Sequence, residues 1–247
     1  MIVTNYNQKI QLFKQYDHSK VSGSFVPYWR NDEVQLAITE HDRAWIPLDQ
    51  KPIWNEDKDQ PHSFMDYPSK PKLEAYSNGI DEVENQSAYA GYLNRKHFLS
   101  FFDKNSTDRD ISRFISREME RQKQLKQAFS KSLTEEIIDF HFNLLQFCDD
   151  LSLYLCLNEP GTMKENEIFM FKDGFRQRFE GLDGQMRAEW INKEQMRLDP
   201  FPFKEPFMVE IPFKEIIYSE VKEKGLRKSY QNAETSLRKV LISKQDE

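Results

Sequence analysis

A chain of 247 residues, 38% apolar and 31% charged, is long enough to bury a substantial core, and its 19 Phe, 10 Tyr and 4 Trp exclude a disordered composition. A formal charge of −6 with no long Lys/Arg block argues against duplex nucleic acid as a partner. No apolar run approaches the roughly 18 residues of a membrane span.

The opening MIVTNYNQKI lacks the basic and apolar regions of a secretion signal. The two cysteines, Cys148 and Cys156, would stand about 12 Å apart on one helix, too far for a bridge. The expected setting is a reducing cytoplasm without membrane contact.

In chain order, residues 1 to 13 carry two short apolar pieces around Asn5-Tyr6-Asn7, the pattern of a small hairpin. From Asp17, an expected N-cap, His18, Val21, Ser22 and Phe25 recur at helical spacing until Pro27. Asn31-Asp32 is expected to cap a second helix through EVQLAITEHDRAWI, closed by Pro47. Residues 47 to 71 hold five prolines and should form a long surface loop.

Helical periodicity returns over 72 to 84, 87 to 102 and 108 to 130, the last a charged helix with an apolar seam. Ser132 and Glu135 make a capping-box pattern before EEIIDFHFNLLQFCDDLSLYLCL. That segment is apolar on nearly every side, which predicts a central, buried helix. Further on, Asp173-Gly174 and Asp183-Gly184 separate EIFMF, FRQRFE and QMRAEW, which predicts an antiparallel meander. FMVEIPF adds a strand that Pro212 favours at an edge.

The expected architecture is therefore a mainly α (α+β) single domain. It has a helical body over 14 to 157, a small antiparallel sheet over 158 to 217, and one polar helix over 218 to 247.

The chemistry centres on acids in apolar surroundings. Asp149 lies within FNLLQFCDDLSLYL, where an unpaired carboxylate would cost several kcal/mol. It must protonate, pair or bind a cation. His41-Asp42 sits between VQLAIT and Ala44-Trp45-Ile46 with the same difficulty, and His18 shares a face with Val21 and Phe25. These side chains are expected to meet around one divalent transition metal. Mixed His and Asp ligands suit Mn, Fe, Zn or Ni and are too poor in oxygen for Ca.

The order His18-Ser-Lys-Val, His41-Asp42, Asp149-Asp-Leu-Ser resembles the H…HD…D signature of the HD-domain metal-dependent phosphohydrolases. With HDRAW and CDDLSL, the chain as a whole is similar to a bacterial family, domain-of-unknown-function family 3891. It departs from that family's pattern at Tyr16, where His is usual, and at Arg43, where a small residue follows HD.

The resemblance implies an HD-domain-like fold and a metal held by His18, His41, Asp42 and Asp149. It also implies metal-assisted hydrolysis of a small phosphorylated metabolite or nucleotide. Asp42 and His97 are then the candidate catalytic groups, His97 as a second ligand or general acid. Lys20, Arg43, Arg95 and Lys96 are the candidates to hold phosphate oxygens.

A non-catalytic metal- or ligand-binding sensor module would use the same ligands, and a structural protein could keep them as a relic. His141 is expected as a satisfied core histidine, His62 as a loop residue and Trp45 as a core anchor. A homo-oligomer is left open.

Overall fold

Alternating apolar residues at the start of the chain pair as a hairpin. β1 (Ile2–Tyr6) and β2 (Lys9–Phe13) run antiparallel, with Ile2 opposite Phe13 and Tyr6 opposite Lys9. Asn7 and Gln8 between them both take positive φ, 49° and 67°, the backbone whose twist suits a two-residue hairpin turn. The structure, a computed structural model, describes residues 1–29, 34–129 and 132–244. The cap expected at Asn31-Asp32 lies outside the described residues.

Helices come next. α1 (Gln15–Trp29) begins two residues before Asp17, so Asp17 sits in its first turn and does not cap it. The helix expected through EVQLAITEHDRAWI is broken into α2 (Gln35–Thr39), a 3-10 turn at Arg43–Trp45 and α3 (Ile46–Asp49). His41-Asp42 falls in the break. The proline-rich stretch holds a short hairpin, β3 (Trp54–Asn55) with β4 (Gln60–Pro61).

α4 (Ser69–Glu84), α5 (Ala88–Leu99), α6 (Arg109–Phe129) and α7 (Glu135–Leu157) complete the helical layer. Thr134, not Ser132, caps α7, accepting a hydrogen bond from the Ile137 amide. Every residue of α7 from Phe147 to Leu157 is buried, as an all-round apolar helix requires.

Beyond α7 the chain departs from the expected architecture. The segments EIFMF and FRQRFE are not strands. Gly174 and Gly184 do turn the chain at positive φ. However, Phe171, Phe175 and Phe179 pack their rings against Tyr154 and Phe147 of α7 rather than joining a ladder. The hairpin forms one step later, between β5 (Arg187–Asn192) and β6 (Gln195–Asp199).

β7 (Phe207–Ile217) pairs with both β2 and β8 (Thr235–Ser243). Its Pro212 has a neighbour on the β8 side alone, because pairing with β2 stops at Leu12 opposite Lys214. Where a single helix was expected after 217, the chain makes α8 (Tyr218–Lys224), α9 (Leu226–Asn232) and β8.

One mixed sheet of order β1-β2-β7-β8-β6-β5 results, antiparallel except between β6 and β8. The chain is about 50% helical and 19% strand, and the sheet curls into a half-barrel. The fold is therefore not a helical body with a small appended sheet. The sheet draws on both ends of the sequence, and its inner face shares one core with α1 and α7.

Arg238 of β8 ties the two layers together. Its guanidinium lies over the Phe13 ring and donates to the carbonyls of Leu155, Cys156 and Asn158 at the end of α7. The last carbonyls of a helix have no partner within it and carry its negative dipole end, so a buried cation is well placed there. Arg238→Ala should lower the unfolding free energy by about 2–4 kcal/mol, seen as a lower urea midpoint at unchanged slope. An unchanged midpoint would mean that this clamp does not hold α7.

Candidate metal centre

Three buried elements bring the centre together: α1 with His18, the break after α2 with His41 and Asp42, and α7 with Asp149. Two glycines allow the approach. A Cβ on Gly23 of α1 would overlap the Thr39 side chain. One on Gly79 of α4 would stand 2.6 Å from the Ala44 nitrogen and 2.7 Å from its Cβ. The break is then pinned by hydrogen bonds from Ser19 to the Thr39 carbonyl and from Asn94 of α5 to the Glu40 carbonyl.

The ring nitrogens are oriented from behind. His41 Nδ1 lies 2.7 Å from the Ile38 carbonyl, which can only accept, so Nδ1 carries the hydrogen and Nε2 faces the centre. His18 Nδ1 contacts the Ser152 hydroxyl, which is 2.8 Å from Ser22 Oγ and donates to the Asp149 carbonyl. Such partners on the far nitrogen fix which nitrogen is left for a metal.

His18 Nε2, His41 Nε2 and Asp149 Oδ1 form a triangle with sides of 3.3, 3.1 and 3.3 Å. Ligands about 2.1 Å from one ion stand about 3.4 Å apart in a tetrahedron and about 3.0 Å apart in an octahedron. The donor set therefore fits a small divalent ion. Asp42 Oδ2 flanks the triangle, 3.3 Å from His18 Nε2 and 3.8 Å from His41 Nε2.

His97 of α5 is equally buried. Its Nε2 is 3.5 Å from the other Asp149 oxygen, and its Nδ1 has no partner among the described residues. Burial pushes its pKa down to about 4, so the ring is neutral near pH 7. Burial alone would raise the Asp149 carboxyl, yet His18 and His41 hold it well below the ordinary carboxylate range. Asp150 differs: burial and the Asp149 charge push it up to about 6, against Arg176 and Gln177.

A cleft of about 360 Å³ opens onto Asp42, His97 and Asp149. None of Lys20, Arg43, Arg95 and Lys96 lines it. Lys20 lies over the Tyr16 ring, Arg43 pairs with Glu40 and Glu82, and Lys96 pairs with Asp139. Arg95 is enclosed by Asp81, Glu84 and Glu118.

The cations in the cleft wall are Lys72 and Arg176, which no local pattern singled out. Ser22 and Ser152, which the sequence marked only by spacing and motif, prove to stand behind the His18 ring. His141 hydrogen-bonds to Tyr89, away from the centre, and His62 contacts Asp66 in the loop. Trp45 is buried and packs on Tyr76, with part of its surface in the cleft wall. Both cysteines are free and buried, and no helix among the described residues is long and apolar enough to cross a membrane.

Residues 1–217 match the family model described as "Protein of unknown function (DUF3891)". No curated protein and no solved structure matches the chain.

The centre sets a pH dependence. In the metal-free protein burial opposes a charged His18, but its hydrogen bonds to Asp149 and Asp42 outweigh this and raise its pKa to about 9. The unfolded value is about 6.5. The folded chain thus holds an extra proton between these values, and that stability is complete below pH 6.5 and lost as pH rises through 9. Metal-free protein should lose up to about 3 kcal/mol over this window. Protein loaded with a divalent ion, which replaces the proton, should not. Urea unfolding at both pH values measures the difference; equal losses would sink the shared-cation account.

Proposed function

Because the chain belongs to this family of proteins of unknown function, its activity has to be argued from the site, and we propose a metal-dependent phosphohydrolase acting on a small phosphoester. One observation carries the reading: two imidazole nitrogens and a carboxylate oxygen sit 3.1–3.3 Å apart beneath an open cleft. The order His18, His41-Asp42, Asp149 also fits the H…HD…D pattern of HD-domain hydrolases. The fold expected from that likeness forms no part of the proposal.

His18, His41 and Asp149 are the ligands, with Asp42 at their edge. A Mn, Fe, Zn or Ni ion held there would supply Lewis acidity toward an ester oxygen. Asp42 lines the cleft and is the candidate to take a proton from water there. His97, neutral near pH 7, is a poor proton donor; it points Nε2 at Asp149 and orients that carboxylate. Lys72 and Arg176 provide positive charge for an anionic substrate.

A binding module remains the second reading, because Asp42 and His97 together could complete the coordination shell and leave no open position. Elemental analysis of tag-free protein should find about one divalent transition ion per chain, lost in His41→Ala. Turnover in a phosphoester panel with added Mn or Fe, abolished by the same change, supports the hydrolase. Stabilisation by a ligand without turnover supports the module. Protein that purifies without metal and takes up none from added Mn, Fe, Zn or Ni would overturn both.

A further inference from the structure

The cleft above the centre has a composition of its own. Its charged lining residues are Lys72 and Arg176 against Asp42, Asp149 and Asp150. Arg176 is already engaged by Asp150, at 3.2 Å. Lys72 takes part in no ion pair among the described residues, and its ammonium contacts the Phe64 carbonyl at 3.4 Å. Burial lowers its pKa, against the opposing charge of Asp66.

The rest of the wall is greasy. Met65, Phe101 and Met170 line the cleft yet are 53%, 49% and 38% exposed. Uncovered apolar side chains around a concavity are what a ligand's apolar body can bury.

We propose that the cleft binds a small phosphate monoester with an aromatic or other apolar body, its phosphate held by Lys72 and its body laid against Phe101, Met65 and Met170. This rests on the hydrolase reading for the fate of the ester, but the recognition itself stands on the cleft. With Arg176 paired to Asp150, Lys72 is the cleft cation outside an ion pair among the described residues, which suits a single phosphate group. A volume of about 360 Å³ lies near the lower end for small-molecule sites and suits a body of about one ring. The apolar wall favours a ring over a polyol.

The test is calorimetric titration of the full tag-free chain with phenylphosphonate, methylphosphonate and pyrophosphate, none of which needs turnover. Phenylphosphonate should bind about tenfold or more tighter than methylphosphonate, since the ring buries several more carbons. Lys72→Gln should weaken both phosphonates about tenfold while preserving their ratio, and Lys72→Arg should restore much of the loss. Phe101→Ala should shrink the ratio at least about threefold.

Lys72 is partly buried and Phe101 half exposed, so both variants should fold, which a thermal melt checks. Equal affinity for the two phosphonates, tighter binding of pyrophosphate, no binding of either phosphonate, or an unaffected Lys72→Gln would each overturn the inference. A chain that shows the expected binding but never hydrolyses an ester overturns only the hydrolase reading. One that hydrolyses methyl and phenyl phosphate equally well overturns only this one.

Discussion

The mutual burial of two carboxylates, Asp42 and Asp149, against the rings of His18 and His41 is the constraint around which the structure is arranged. Each of these groups is buried, and two carboxylates so close together would repel if nothing cationic stood between them. A proton on His18 or a divalent ion removes that repulsion. The neighbouring polar groups make sense only in that light. The Ile38 carbonyl and Ser152, the latter backed by Ser22, occupy the far sides of the rings, so both Nε2 atoms point inward. Interiors this polar are stable only when nearly every member of the network is satisfied.

The sheet serves the same centre from a distance. α7 holds Asp149 and Ser152 and lies between the other helices and the strands, so any slip along its axis would misplace both. Arg238 binds its terminal carbonyls from β8, while Gln11 of β2 accepts from the same guanidinium. The aromatic run Phe171, Phe175 and Phe179 staples the adjoining segment to α7. The placement of the His18, His41 and Asp149 side chains thus depends on packing outside that cluster.

The amino-acid sequence disclosed the parts whose signals are local. α7 was legible because its apolar residues leave no polar face, and the buried acids stood out against that background. The first hairpin was legible from alternation alone. The break at His41-Asp42 was not, because the flanking residues are helix-compatible. Tertiary contacts at Gly23, Gly79, Ser19 and Asn94 make it.

The two Asp-Gly turns misled for a related reason: they do reverse the chain, but their flanking phenylalanines find aromatic partners in α7 before strand partners. β8 carried a period-two signal, with Arg238, Val240 and Ile242 buried, yet its charged residues made it look like a polar helix. Lys72 and Arg176 look like any other surface cation until the fold turns them toward a concavity.

The placement of β8 bears on how the protein is made. It is threaded between β6 and β7, both completed earlier in the chain, and bridges their two halves of the sheet. During synthesis those halves must wait as open edges, the β6 side and the β7 side each exposing unpaired amides and carbonyls. Correct assembly therefore waits until Thr235–Ser243 has been made and has left the ribosome. A nonsense mutation or proteolytic nick just before Thr235 would leave a sticky intermediate in place of a shortened but serviceable protein.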